Sequence, residues 1–189
     1  MAKVQVTSLD PVDFASAGAI GEPGHREFYI QGTKSGVTVS VLIEKQQMQQ
    51  IANEAINFLN TISEDFGQEQ YASPEDFDNA VLKLPIETYF RSQSISIVFD
   101  ELTQYLTLIL RESDIEPEDN YFDESDVEND FTFYTDALVE NKILKLTMTR
   151  TQLRALAVKG NMSIEGGREI CELCLLPKDP SSHICPRFN

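Results

Sequence analysis

The run VTVSVLIEKQQMQQIANEAINFLNTI, residues 37–62, holds two hydrophobic periods back to back. Val37, Val39, Val41 and Ile43 recur at every second position, the signature of a strand with one buried face. Past Glu44 the apolar residues recur instead at Met48, Ile51, Ala52, Ala55, Leu59 and Ile62, a helical stripe opposite a face of Gln, Asn and Glu. A strand that feeds a helix packed back on the sheet sets the fold class as α+β, antiparallel sheets carrying helices on one face.

Working outward, residues 14–20 are small and apolar, and Gly21-Glu22-Pro23-Gly24 reads as a turn into a strand at 27–31. The glycines Gly18, Gly21 and Gly24 invite a phosphate-loop reading, but such a loop opens a helix whose amides face the anion, and here a strand follows. A hairpin turn is the better reading. Residues 32–36 form a second turn cluster, and 63–78 read as an acidic loop with a short helix after Ser73-Pro74-Glu75. Alternation at 94–100 and 105–111 marks a hairpin turning at Asp100-Glu101. Further on come a strand at 131–135, a turn through Glu140-Asn141 and a strand at 143–148. Thr149 and Gln152 have capping-box spacing, and the helix they open should stop at Gly160.

Sliding the chain by 105 positions lays Phe28-Tyr29 on Phe133-Tyr134, Gln47 on Gln152, Ala52 on Ala157, and Met48 and Ile51 on Leu153 and Leu156. The shared order of elements points to an internal duplication, with 28–55 and 133–160 as the same strand, turn, strand, helix unit. The expected organisation is a duplicated domain over 1–165, with halves near 12–66 and 92–162, followed by a separate tail at 166–189.

Composition narrows the function. The 189 residues are 41% apolar, enough for a core, and carry a net charge of -16, which opposes binding to nucleic acid or to anionic membrane surfaces. No apolar leader or membrane-length run occurs, so a soluble cytoplasmic protein is expected. Asp or Glu holds about half of residues 112–130, and Lys and Arg hold none, the composition of a solvated loop. Tyr121 and Phe122 within it are candidate anchors for a basic partner, whereas a calcium loop would need a glycine that the run lacks.

The tail carries the most specific signal. Cys171-Glu172-Leu173-Cys174 presents two thiolates on one turn, and His183-Ile184-Cys185 returns two more soft ligands, a closed tetrahedral Zn2+ site of structural type. The chain has three cysteines, so a disulfide would strand one, and a four-thiolate iron-sulfur cluster would lack a ligand. The competing reading, a redox C-x-x-C, expects that motif after a strand and opening a helix.

Three stretches together, FASAGAIGEPGHREF at 14–28, IEKQQ at 43–47 and the tail C-x-x-C-x-x-P-x-D-P-x-x-H-x-C-P-R at 171–187, resemble the bacterial domain of unknown function 3090, typical of actinobacteria. The resemblance covers nearly the whole chain and implies that Cys171, Cys174, His183 and Cys185 are its metal ligands. Where the family has a tighter loop, this chain carries residues 112–130. No activity is implied.

Two functions follow. One is a non-catalytic protein-interaction or scaffold domain with structural zinc and a protein partner. The other is an enzyme or accessory subunit acting on a phosphorylated or anionic metabolite, with His25, Arg26 and Arg91 lining an anion-binding cleft. Outside the tail the chain offers no second histidine beyond His25 and no nucleophile motif, which favours the first.

Overall fold

The computed structural model describes residues 4–67, 74–113 and 141–165, together with Cys185 and Arg187. In chain order its elements are β1 (Val4–Leu9), β2 (Phe14–Ile20), β3 (Glu27–Lys34), β4 (Val37–Ile43), α1 (Lys45–Phe66) and α2 (Pro74–Asn79). There follow β5 (Thr88–Arg91), β6 (Ser94–Phe99), β7 (Leu106–Arg111), β8 (Asn141–Met148) and α3 (Arg150–Glu165). The class is α+β. No described helix is long and apolar enough to cross a membrane.

The period change at Glu44 is where β4 ends and α1 begins. The residues α1 buries are Met48, Ile51, Ala52, Ala55, Leu59 and Ile62, the stripe picked by spacing. The Gln47 side-chain oxygen accepts from the Glu44 amide at 2.8 Å. The same device opens α3: Gln152 Oε1 accepts from the Thr149 amide at 3.0 Å, and Thr149 Oγ1 accepts from the Gln152 amide at 3.2 Å.

Two helix ends differ from the sequence reading. Residues 63–66 are helical rather than loop, although Glu64 and Asp65 are unfavourable at a helix C-terminus. The Phe66 ring compensates by packing edge-on against Phe99, centroids 5.3 Å apart. Nor does α3 stop at Gly160. That residue is buried in mid-helix, where an added Cβ would lie 2.8 Å from Met48 Sδ, so glycine serves the close approach of α3 to α1.

The strands form two four-stranded sheets, ordered β2-β3-β4-β5 and β6-β7-β8-β1. Within β2-β3-β4 and β6-β7-β8 all neighbours are antiparallel. The outermost pairings, β4 with β5 and β8 with β1, are parallel. The sheets are therefore mixed, not antiparallel throughout as expected. The chain between β4 and β5 passes through α1 and α2, which supplies the crossover that a parallel pair requires. Strands β1 and β5 escaped the sequence reading because β1 alternates weakly and β5 is four residues long.

The gapless 105-position match placed residues 131–135 opposite β3. Those residues lie outside the described ones, and β8 has β7 on one side and β1 on the other, so its antiparallel neighbour is 106–111. The turn cluster at 32–36 is also shorter than expected. Gly32, Thr33 and Lys34 belong to β3, and Ser35 and Gly36, with φ of 50° and 81°, make the two-residue hairpin turn.

Gly32 marks where the two sheets meet, since a Cβ there would run into Leu146 and come 3.0 Å from Leu9 Cδ1. Around this point Leu106, Leu108, Leu110, Leu144, Leu146 and Met148 are buried with Ile30 and Val41. One buried polar side chain is fully used. Gln31 donates to Lys83 O and Ser40 Oγ, both at 3.0 Å, and accepts from the Lys83 amide at 2.8 Å, tying the 80–87 connection to the sheet. Leu82 of that connection lies 3.0 Å from a Cβ built on Gly18.

Gly32→Val should cost about 1–3 kcal/mol in urea unfolding, the range for overpacked cores. Valine suits strands better than glycine, so a loss reports crowding at the sheet contact. An unchanged midpoint would mean the sheets can part at no cost.

Candidate functional site

Of the four expected zinc ligands, Cys171, Cys174 and His183 lie outside the described residues, and Cys185 is half-buried. No metal-holding group of His, Cys, Asp or Glu forms among the described residues, which include just one of the four expected ligands, Cys185. Tyr121 and Phe122 also lie outside them.

The three anion candidates are described. His25 sits in the β2–β3 turn, where its amide donates to Glu22 O at 2.9 Å. Arg26 precedes β3 and donates from Nη1 to Ser163 O at 3.0 Å, linking the hairpin to α3. Arg91 ends β5 and pairs with the Glu44 carboxylate, the two side chains 58% and 56% exposed. Arg91 is level with Leu42 and Leu42 with Tyr29, so Arg26 and Arg91 share one end of the sheet. They reach to different partners there, and neither of two surface cavities includes them.

The smaller cavity, about 130 Å³, lies among Asp13, Phe14, Ala15, Glu75, Asn79 and Gln152. Its acidic side is already engaged, because Asp13 Oδ2 accepts from the Ser35 amide at 2.6 Å. The larger is a cleft of about 350 Å³ between α1 and β6. Ile51, Glu54, Phe58 and Thr61, one face of α1, form one wall, and Ile95 and Ile97 of β6 form the other. Ile95 and Ile97 stand opposite Leu110 and Leu108, and so on the core side of the sheet, where they pack against the core yet are only partly buried. The Phe66–Phe99 contact joins the same two elements farther along. Among the described residues β6 is the terminal strand of its sheet.

Past β6 the chain turns through 100–105. Asp100 accepts from the Thr103 hydroxyl at 2.8 Å and from the Leu102 amide at 2.9 Å, and these bonds hold its carboxyl below the usual aspartate range. The sequence reading missed the cleft, because its walls come from two segments far apart in the chain. The one available signal was the pair of isoleucines at 95 and 97 on an edge strand.

Two mixed four-stranded sheets crossed by two long helices define an α+β domain. The chain belongs to the family described as Protein of unknown function (DUF3090), which it matches over residues 7–185. No curated protein and no solved structure matches it.

Because its carboxyl is held below the usual range, Asp100 helps the 100–105 turn at and above ordinary aspartate values and stops helping as pH falls through its own lowered value. An NMR titration should show the Leu102 and Thr103 amides moving together at that lowered midpoint. In Asp100→Asn the step should vanish, and a midpoint at the ordinary aspartate value would contradict the bonding.

Proposed function

We propose that this protein is a non-catalytic interaction domain built from two related halves, with Cys171, Cys174, His183 and Cys185 holding a structural Zn2+ that staples the tail. The observation that carries the interaction role is the inequality of two equivalent helix–strand seams. A shift of 80 positions lays Ala15, Ser16 and Ala17 of β2 on Ile95, Ser96 and Ile97 of β6. In β2 the two alanines are 4% and 3% exposed, and α3 lies over them, with Ala17 Cβ 3.8 Å from the Cβ position of Gly160. In β6 the isoleucines pack against the core but remain partly exposed beside a cleft. Apolar surface only partly covered where its counterpart is sealed fits a surface kept for a partner.

Paired hydrogen bonds support the duplication. Gln47 caps α1 and donates to Gln93 O at 3.0 Å, beyond β5, while Gln152 caps α3 and donates to Asp13 O at 3.1 Å, beyond β1. The amides of Ser92 and Val12 donate to Leu42 O and Thr147 O, and those of Gln93 and Asp13 to Arg111 O and Thr33 O. The 105-position shift carries Ala55 onto Gly160, besides the three apolar matches of the helices, and moves Leu42 onto Thr147. The two shifts differ because the stretch containing 112–140 falls between β7 and β8.

Three thiolates and an imidazole match the soft-donor preference of zinc and fill a tetrahedron, leaving no position for a reactive water. The alternative, chemistry on an anionic metabolite, needs Arg26 and Arg91 turned toward one ligand. Each is instead engaged with a group of the protein itself.

Elemental analysis of protein purified without chelator should find one zinc per chain. Cys174→Ser should release it and expose residues 166–189 to protease, with the urea midpoint of the domain moved by no more than about 0.5 kcal/mol. Absence of zinc, or a tail equally protected in the variant, would refute the site.

A further inference from the structure

We infer that the α1–β6 cleft binds an extended, basic and apolar segment of a partner protein, which adds to β6 as a further strand. This rests on the interaction reading above and names its ligand class.

Three observations select that occupant. First, β6 ends its sheet among the described residues, so its outward amides and carbonyls offer a template for main-chain pairing, the commonest way an exposed edge takes up a peptide. Second, the cleft beside this edge is lined by Ile51, Phe58, Ile95 and Ile97, with room in its roughly 350 Å³ for alternate side chains of an added strand. The alanines of β2 let α3 close over their own strand, whereas the bulkier isoleucines of β6 leave α1 standing off. The cleft thus follows from side-chain size in the sequence.

Third, carboxylates outnumber the cations around it, and Arg111 of the neighbouring strand is engaged with Ser96 Oγ at 3.0 Å. Glu54 stands in the cleft wall. The Phe66–Phe99 contact brings the C-terminal turn of α1, with Glu64 and Asp65, beside the end of β6 that leads to Asp100 and Glu101. A helix C-terminus adds negative potential there. The cation at that end, Arg150, is engaged with Gly67 O at 3.1 Å and Gln104 Oε1 at 2.8 Å. Apolar residues facing the cleft and Lys or Arg toward the Phe66 end would complement this surface, and attraction to a chain of net charge -16 would speed the encounter. A second copy of the chain carries the same charge and the same carboxylates, so it is the poorer occupant.

The test uses the full-length protein at low salt and a fluorescein-labelled peptide alternating Lys with Val and Ile, followed by anisotropy. An acidic peptide with Glu in place of Lys is the control. Saturable binding of the basic peptide alone is expected, weakened about tenfold or more by Ile97→Glu and by Glu54→Lys. Glu54 is exposed, so that variant keeps the fold. N-methylation of the peptide at alternate residues should abolish binding in one register and spare it in the other, as strand addition requires. Equal binding by both peptides, indifference to either variant, or indifference to N-methylation in both registers would overturn the inference. So would sedimentation showing a dimer that Ile97→Glu dissolves, which would assign the cleft to a second copy. Protein that holds zinc one-to-one yet ignores the peptide refutes this ligand and leaves the zinc-stapled domain standing. Protein that binds the peptide without zinc does the reverse.

Discussion

The structure depends on an exchange of edge strands. Strand β1, the first of the described chain, pairs in parallel with β8, the last strand, and β5 pairs in parallel with β4. Divided between α2 and β5, the chain forms two segments, and each sheet takes its outermost strand from the segment that does not supply its other three. Other close contacts follow from that exchange. It brings β3 against β8 at a point so tight that Gly32 has no room for a Cβ beside Leu146, and it brings α3 against α1 where Gly160 admits Met48. Close packing of this kind transmits the change of a single methylene, so small residues at both points favour the close approach.

Much of this was legible in residues 37–62, because strand and helix periods are local and each residue reports its own face. The six buried positions of α1 and the Thr149–Gln152 cap followed directly. Long-range consequences were not legible. Gly160 carries the local signature of a helix stop, and its partner Met48 lies more than a hundred residues earlier, so the tertiary contact overrode the cap reading. Parallel pairing was hidden for the same reason, since β1 alternates weakly, β5 is four residues long, and both are specified by neighbours distant in sequence. The cleft belongs to the same class, with one wall at 51–61 and the other at 95–97. His25, Arg26 and Arg91 stood out in the sequence as the polar residues available for chemistry. In the structure the two arginines anchor a helix carbonyl and a capping carboxylate.

The two ends of the proposed function rest on different physics. The proposed zinc site would be a matter of donor chemistry: a tail with few apolar residues would not offset its ordering entropy by burial and would draw on metal binding to fold. The cleft is a matter of side-chain volume, since the core-facing residues of β6 are isoleucines, whereas the alanines of β2 let α3 close over them. A domain whose polar side chains are spent on caps and clamps, and whose apolar seam stays open, is suited to holding another chain.

The most direct measurement is fragment complementation. The chain would be cut between Ala80 and Val81, before β5, and each piece studied alone and mixed. Strand exchange predicts that neither piece gives a cooperative unfolding transition alone, and that together they form a one-to-one complex with the far-ultraviolet spectrum of the intact protein. Either fragment folding cooperatively without the other would contradict the account.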